Sequence, residues 1–376
     1  MKTGRLSMAD IKTTLRELSV ATTIGLLSSN IEFQQQDLYD SQRFFTYAQN
    51  SISTDISNAR TLATSGTFTG ELCKIIDNGY KLGKKIYESP YFSIKNGAQI
   101  QWLGNDTHKL DPVDISVDGY GFSLKEESFI LQNMGLYSML NILTGSNYKR
   151  GLHIFLDFAP KEYEDWFRYT WNTLISCLQA NGSWTENFST LYLQNDLLIA
   201  SYNNISIKLP VNITSSVEYI KHTNAKIREK VFSKWINANV SFDPVYLKLK
   251  KICSVSAGKT VCNIINQNYC PDNIYDFFRI YYQEYYYAKT TDYETTILRV
   301  PNRQDFHVSI RFLGSQYEVP ESQLNIISTF QNIHTGKILQ FRNECRFSHG
   351  QFNGTPEAKM YATRTTNLTD LYEPLE

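Results

Sequence analysis

The sequence has no excess of charge of either sign: 37 Lys and Arg stand against 37 Asp and Glu, a formal net charge of zero. That excludes a strongly basic protein that coats nucleic acid non-specifically, while leaving room for a local basic groove. A long apolar run is also missing. Val20–Leu27 is too short to span a bilayer, and Asp10, Lys12, Arg16 and Glu17 stand just before it. The start does not resemble a signal peptide with a clean cleavage site. The expectation is a soluble, cytoplasmic protein with no membrane partner. Cysteine is sparse and dispersed. Cys73, Cys177, Cys253, Cys262, Cys270 and Cys345 form no CxxC pair, and the spacing of Cys253, Cys262 and Cys270 is unlike that of zinc ribbons or fingers. Buried reduced thiols are expected. The six histidines include no pair at i, i+4, and GxSxG, GxxxxGK[ST] and Cys–His signatures are absent. Nothing supports serine-hydrolase, ATP-driven or dinucleotide-dependent chemistry.

What is present describes a globular chain. With 376 residues, 42% apolar and 20% charged, there is enough material for one large domain or two ordinary ones around a real core. Aromatic residues reach 14%, and Tyr281, Tyr282, Tyr285, Tyr286 and Tyr287 crowd together. Such rings stack on bases in some proteins. Here the chain is rich in Asn, Ile, Tyr and Lys throughout, as codon bias in an AT-rich genome produces, and a place in the core is the expectation.

Periodicity gives the coarse organisation. Residues up to about 62 read as helical and polar. Leu72, Ile75, Ile76 and Tyr80 mark one face of a helix over Thr69–Tyr87. Strands follow at Gln99–Leu103, Val113–Val117 and Tyr120–Lys125, then a helix over Phe129–Leu143 closed by Gly145. Gly151–Phe158 reads as an apolar strand and 161–180 as a helix, with strands at Leu197–Tyr202 and Ile205–Leu209. The last third alternates in β fashion at Thr296–Val300, Phe306–Phe312, Lys337–Phe341 and Ala358–Thr363. The fold class is α/β (α+β): a mixed central sheet flanked by helices. Three regions are expected, a helical 1–62, a core with insertions over 63–270, and a β-rich 271–376.

The segment Leu110–Glu127 (LDPVDISVDGYGFSLKEE) carries the chemistry. Asp118-Gly119 between two alternating apolar runs is a strong two-residue hairpin signal, because both central residues of such a turn take positive φ. A tight turn pairs Val117 with Tyr120, Ser116 with Gly121, Ile115 with Phe122, Asp114 with Ser123 and Val113 with Leu124. One face then holds Val113, Ile115, Val117, Tyr120, Phe122 and Leu124, and the other holds Asp114, Ser123 and Lys125. Opposed side chains sit roughly 5 Å apart. A carboxylate held on a strand suits Mg²⁺, which prefers oxygen ligands. A neighbouring lysine orients or deprotonates the attacking water, or neutralises charge as a phosphodiester is attacked. The plain alternative is a surface Asp–Lys pair worth under about 1 kcal/mol.

This pattern resembles the core of the PD-(D/E)XK nuclease superfamily: a helix bearing a glutamate, a strand ending in an aspartate, a hairpin return, an acidic-x-Lys triplet and a following helix. The matching residues are Glu71 in TGELCKII, Asp114 in DPVDISV and Lys125 in GFSLKEES, over about 80 residues, roughly a fifth of the chain. One departure stands out, since the acidic residue two before the lysine is Ser123. A hydroxyl is a poorer Mg²⁺ ligand than a carboxylate, and Glu71 or Glu127 is left to supply the missing charge. Asp111, in the literal Asp-Pro pair, competes with Asp114, which the face argument favours. The resemblance implies Asp114, Glu71 and the Leu124 carbonyl as Mg²⁺ ligands, Lys125 as the residue that positions or activates water, and Ser123 and Glu127 in support. A rival triplet, Glu357-Ala358-Lys359, follows a glycine-bearing loop with no aspartate on an apolar strand before it.

Recognition has to come from elsewhere. Arg342, Asn343, Arg346, His349, Gln351 and Asn353 are the residue types that read guanine and adenine edges. Lys221–Lys251 carries eight basic against two acidic side chains, with Lys226, Arg228 and Lys230 as candidates for phosphate contacts. A solvated hairpin and a solvated helix face are the ordinary explanations of these two stretches. The resemblance implies a type II restriction endonuclease of the bacterial cytoplasm that cuts double-stranded DNA with Mg²⁺. A homodimer and a cognate DNA methyltransferase are its implied partners. A nuclease of this fold with another role, such as phage defence or repair, and a non-catalytic nucleic-acid-binding protein are the alternatives.

Overall fold

Two glycines inside one helix explain how the first layer packs. In the computed structural model, α1 (Met8–Ser28) runs against α4 (Glu71–Glu88); between them in the chain lie α2 (Ser41–Ser51) and the single turn α3 (Ser57–Arg60). Gly79 and Gly83 of α4 face α1, where a β-carbon on Gly79 would fall 2.6 Å from Ser19 Cβ and one on Gly83 2.8 Å from the Val20 carbonyl. Helix-interior glycine costs about 1 kcal/mol. The close approach it permits offsets that cost, and Ser19 Oγ donates to the Ile76 carbonyl at 2.9 Å. The residues described are 8–60, 66–104, 112–126, 130–132, 134–149, 151, 153–291, 294–346, 352 and 357–375.

The chain forms two compact units, each discontinuous in sequence: Met1–Ser128 with Ile280–His307 and Leu368–Glu376, and Phe129–Arg279 with Val308–Asn367. The contiguous regions 1–62, 63–270 and 271–376 therefore do not coincide with the units of contact. Composition shifts along a chain cannot reveal a unit assembled from three separated stretches.

In the first unit, α1 and α4 cover a six-stranded mixed sheet: β1 (Ile100–Trp102), β2 (Ile115–Val117), β3 (Tyr120–Glu126), β4 (Tyr285–Thr290), β5 (Thr295–Val300) and β6 (Glu373–Pro374), in that spatial order. All neighbours are antiparallel except β3 and β4, which run parallel with Leu124 beside Ala288 and Lys125 beside Lys289. Parallel neighbours need a long connection, and here the chain between them supplies most of the second unit. Ile115, Val117, Phe122, Leu124, Tyr286, Ala288 and Ile297 form one core with Leu18, Ile24, Ile76 and Leu82 of the helices. Each Val, Leu, Ile or Phe among them stabilises by about 1.5–3 kcal/mol on burial. Phe92 meets Phe122 and Tyr286 edge-on at 5.1 and 4.8 Å. Tyr285, Tyr286 and Tyr287 are buried as expected, whereas Tyr282 is exposed.

The second unit has two long helices, Pro160–Asn181 and Pro244–Asn268, a four-stranded antiparallel meander over 183–210, and a five-stranded antiparallel sheet. Three expectations are corrected here. Gly151–Phe158 holds a helix, Ile154–Phe158, started by His153, whose Nδ1 accepts from the Phe155 N–H; a five-residue apolar run is too short for its period to separate helix from strand. Phe129–Leu143 divides into a strand, Ile130–Gln132, and a helix, Leu136–Thr144, which ends at Gly145 with φ +64°. The strand sought at Phe306–Phe312 starts at Ile310 and runs to Glu318. No helix among the described residues is long and apolar enough to cross a membrane, and all six cysteines are free thiols.

Candidate active site

Asp118 and Gly119 take φ of +46° and +90° and join β2 to β3 in the register read from the sequence, with Val117 opposite Tyr120, Ser116 opposite Gly121 and Ile115 opposite Phe122. Asp118 is itself fixed, accepting from the backbone N–H groups of Gln99 at 2.8 Å and Lys95 at 3.0 Å. The pairing changes one residue further back. Asp114 N–H donates to the Phe122 carbonyl at 2.8 Å although Ile115 is the registered partner of Phe122. Two residues of one strand thus oppose one of the other, a β-bulge that re-aims a side chain.

The bulge corrects the expected faces. Val113 does not continue the apolar row with Ile115. Its Cγ2 lies 2.7 Å from where a Gly121 β-carbon would be, so it covers the opposite side, and glycine is required beneath it. The Asp114 carboxylate turns along the strand edge instead of pairing with Ser123. Its Oδ2 accepts from the Leu124 N–H at 2.6 Å and lies 3.9 Å from Lys125 Nζ. Within a strand residue the N–H and C=O point to the same side, so the Leu124 carbonyl lies on the β2 side of β3. At 3.9 Å the charges attract without a direct hydrogen bond.

A third charged group joins them, and the sequence did not single it out for this role. Glu17 of α1 is 3% exposed and its Oε2 accepts from Trp102 Nε1 at 2.8 Å. Burial pushes its carboxyl up to about 7, and the Asp114 charge pushes the same way, opposed by the Trp102 hydrogen bond, Arg16 and Lys125. The only cue in the sequence was a charged residue in a helix otherwise buried around it, with Leu15, Leu18, Val20 and Ala21 as neighbours. Ser123 is 1% exposed and its hydroxyl has no hydrogen-bond partner among the described residues.

Glu71, at the start of α4, is brought elsewhere: its side chain is 66% exposed and pairs with Lys12 of α1. The glutamate joined electrostatically to Asp114 and Lys125 is Glu17. Glu127, Asp111, His349, Gln351 and Asn353 lie outside the described residues, as does the side chain of Arg346. In the second unit, Asn343 is buried and donates from Nδ2 to the Met134 carbonyl at 2.9 Å, which removes it from any exposed reading edge. Arg342 lies over the Tyr361 ring at 5.0 Å. Arg228 Nη1 donates to the Thr223 and Ile220 carbonyls and so caps the preceding helix turn. Lys230 pairs with Glu229, and Lys226 is exposed over Tyr202. Lys359 stands opposite Glu344 on a strand of the second unit.

Asp114 and Glu17 are the carboxylates this part of the fold would offer a hard divalent cation. They come from different elements, the Asp114 charge raises the Glu17 carboxyl, and the Leu124 carbonyl and the Ser123 hydroxyl lie together on β3. Mg²⁺ is held in many sites by one or two carboxylates with water and substrate phosphate completing the shell. No group of three or more His, Cys, Asp or Glu side chains positioned for a metal is found among the described residues. Comparison with family models, with curated proteins and with solved structures finds no match for this chain.

Proposed function

We propose that this protein is a Mg²⁺-dependent DNA endonuclease of the restriction type, with its active site at the Asp114 bulge. The observation that carries the reading is the convergence of the Asp114 carboxylate, held by the Leu124 N–H, with Lys125 Nζ at 3.9 Å and buried Glu17. A surface ion pair needs none of the bulge, the buried second carboxylate or the helix fixed behind it. Asp114, Glu17 and the Leu124 carbonyl would hold the ion, which supplies Lewis acidity to a phosphoryl oxygen and acidifies water. Lys125 orients the attacking water from its ammonium and neutralises charge as the P–O3′ bond breaks. The leaving 3′ oxygen takes a proton, and a 5′-phosphate remains.

The resemblance of Asp114 and Lys125 to the PD-(D/E)XK pattern supports the restriction reading. A homodimer that cuts both strands, and a methyltransferase that protects the host genome, follow from it as proposals. Incubation of the protein with plasmid, single-stranded DNA and RNA in Mg²⁺ tests the reading. Discrete plasmid fragments with uniform 5′-phosphate ends are expected. No cutting of any of the three in Mg²⁺ or Mn²⁺, with binding intact, leaves a non-catalytic binding protein instead.

A further inference from the structure

In the meander of the second unit, strands Ser183–Glu186 and Ser189–Gln194 are joined by Asn187 and Phe188, a two-residue turn with φ of +43° and +66°. Such turns want Asn, Asp or Gly, because a β-carbon at positive φ crowds the backbone. The next turn of the same meander obeys this with Asn195 and Asp196, the one after places Asn203 at φ +52°, and the β2–β3 turn uses Asp118 and Gly119. Phe188 is the one aromatic residue at positive φ among the described residues. It is 79% exposed and packs against no other ring among the described residues. A strained backbone thus presents an apolar ring to solvent, a combination that stability does not select.

Charged groups of both signs surround it, with the Lys226 ammonium exposed. Ser189 Oγ donates to the Lys230 carbonyl at 2.7 Å, which fixes the hairpin tip on the basic helical segment. Ser189 is registered opposite Tyr202, and the exposed Lys226 ammonium sits 5.6 Å from the Tyr202 ring centre. The segment makes a π-helical turn at Arg228–Phe232, directly beneath this contact. Two acids lie close, the exposed Glu186 before the tip and Glu229, which is paired with Lys230.

We infer that the Asn187-Phe188 tip is a nucleobase-stacking finger, with Phe188 against a base and Lys226 and Lys230 on the adjoining phosphates. A ring beside lysines matches the two parts of a nucleotide, whereas an apolar protein pocket would not call for the cations. Aromatic stacking tolerates any base, and apolar wedges also enter the duplex between base steps. The finger shares with the nuclease reading only the kind of partner.

Binding measured in EDTA separates the two. Oligonucleotides with a central 2-aminopurine, single-stranded and duplex, report stacking through fluorescence and affinity through titration. Wild type is expected to bind at least one form with a fluorescence change. F188A and F188N are expected to weaken that binding about 5–100-fold and abolish the change. Because Asn tolerates positive φ, F188N should also raise Tm, a gain that a ring needed only for folding would not give. K226A should weaken binding less and make it less salt-dependent, by about one phosphate contact. F188N binding like wild type overturns the finger, as does wild type that ignores both oligonucleotides while binding phosphatidylglycerol vesicles. A protein that loses binding through F188N yet never cuts DNA in Mg²⁺ overturns the nuclease reading alone. One that cuts, with F188N binding unchanged, overturns the finger alone.

Discussion

Glu17 accepts a hydrogen bond from Trp102 Nε1 at 2.8 Å, which pins a buried carboxylate from the first helix to the first strand of the sheet. The same carboxylate feels the charges of Asp114 and Lys125. A charged side chain this deep is costly unless something needs it there. Its raised carboxyl has a direct consequence for stability. Folding keeps the Glu17 proton up to about pH 7, while the unfolded chain releases it near 4.5. The stabilisation is complete below pH 4.5 and is lost as pH rises through 7, on the order of 3 kcal/mol in all. Glu17→Gln, which cannot ionise, should have a higher Tm than wild type at pH 8 and a flatter profile between pH 5 and 8. Thermal melts in EDTA across that range check this, and superimposable profiles would refute the burial argument.

Divalent cation should reverse that penalty. At pH 8, added Mg²⁺ is expected to raise the Tm of wild type, because the ion binds the folded site and favours both carboxylates ionised. The increment should shrink in Glu17→Gln and in Asp114→Ala, and remain in Glu71→Ala, whose side chain pairs with Lys12. Equal increments in all four proteins would mean that Mg²⁺ binds elsewhere.

Lys125→Ala should lower plasmid cleavage about 10²–10⁴-fold, the range ordinarily lost with a positioned acid–base group, and leave DNA affinity close to wild type. Lys359→Ala should cut normally, since Lys359 lies opposite Glu344 in the other unit. Single-turnover cleavage with parallel titration of labelled duplex separates the two effects. A Lys125 variant that cuts as fast as wild type removes the assignment.

The hairpin was legible because its information is local. Asp118-Gly119 dictates the turn, and the turn dictates register as far back as Ile115 and Phe122. The bulge was not legible, because it depends on Val113 crossing to cover Gly121 and on the Leu124 N–H being free to take the carboxylate. Glu71 drew attention by standing at the head of an amphipathic helix, where a carboxylate is also favoured by the helix dipole. Glu17 joins the cluster only through tertiary packing, and in the sequence it read as part of the polar flank of Val20–Leu27. The run Ile154–Phe158 failed for a different reason, a single helical turn being too short for its period to show. Phe188 carried a visible signal, Asn-Phe where a turn asks for Asn-Gly, which makes sense only once the strands on either side are known.

Gly79 tests whether the packing of the two helices controls the site. An alanine in an exposed helix interior is worth about 1 kcal/mol over glycine, so propensity alone predicts that Gly79→Ala stabilises. The structure predicts the reverse. The new methyl would meet Ser19 Cβ at 2.6 Å, well inside contact distance, and the cost of overpacking is about 1–3 kcal/mol. Relief requires α1 to move, and Ser19 is only two residues from Glu17. Gly79→Ala should therefore lower stability in urea melts and also lower cleavage, while Gly79→Ala combined with Ser19→Gly, which removes the opposing side chain, recovers both. Recovery of stability without recovery of cleavage would separate the helix packing from the geometry at Asp114. Recovery of both ties the position of the buried glutamate to the small-residue contact behind it.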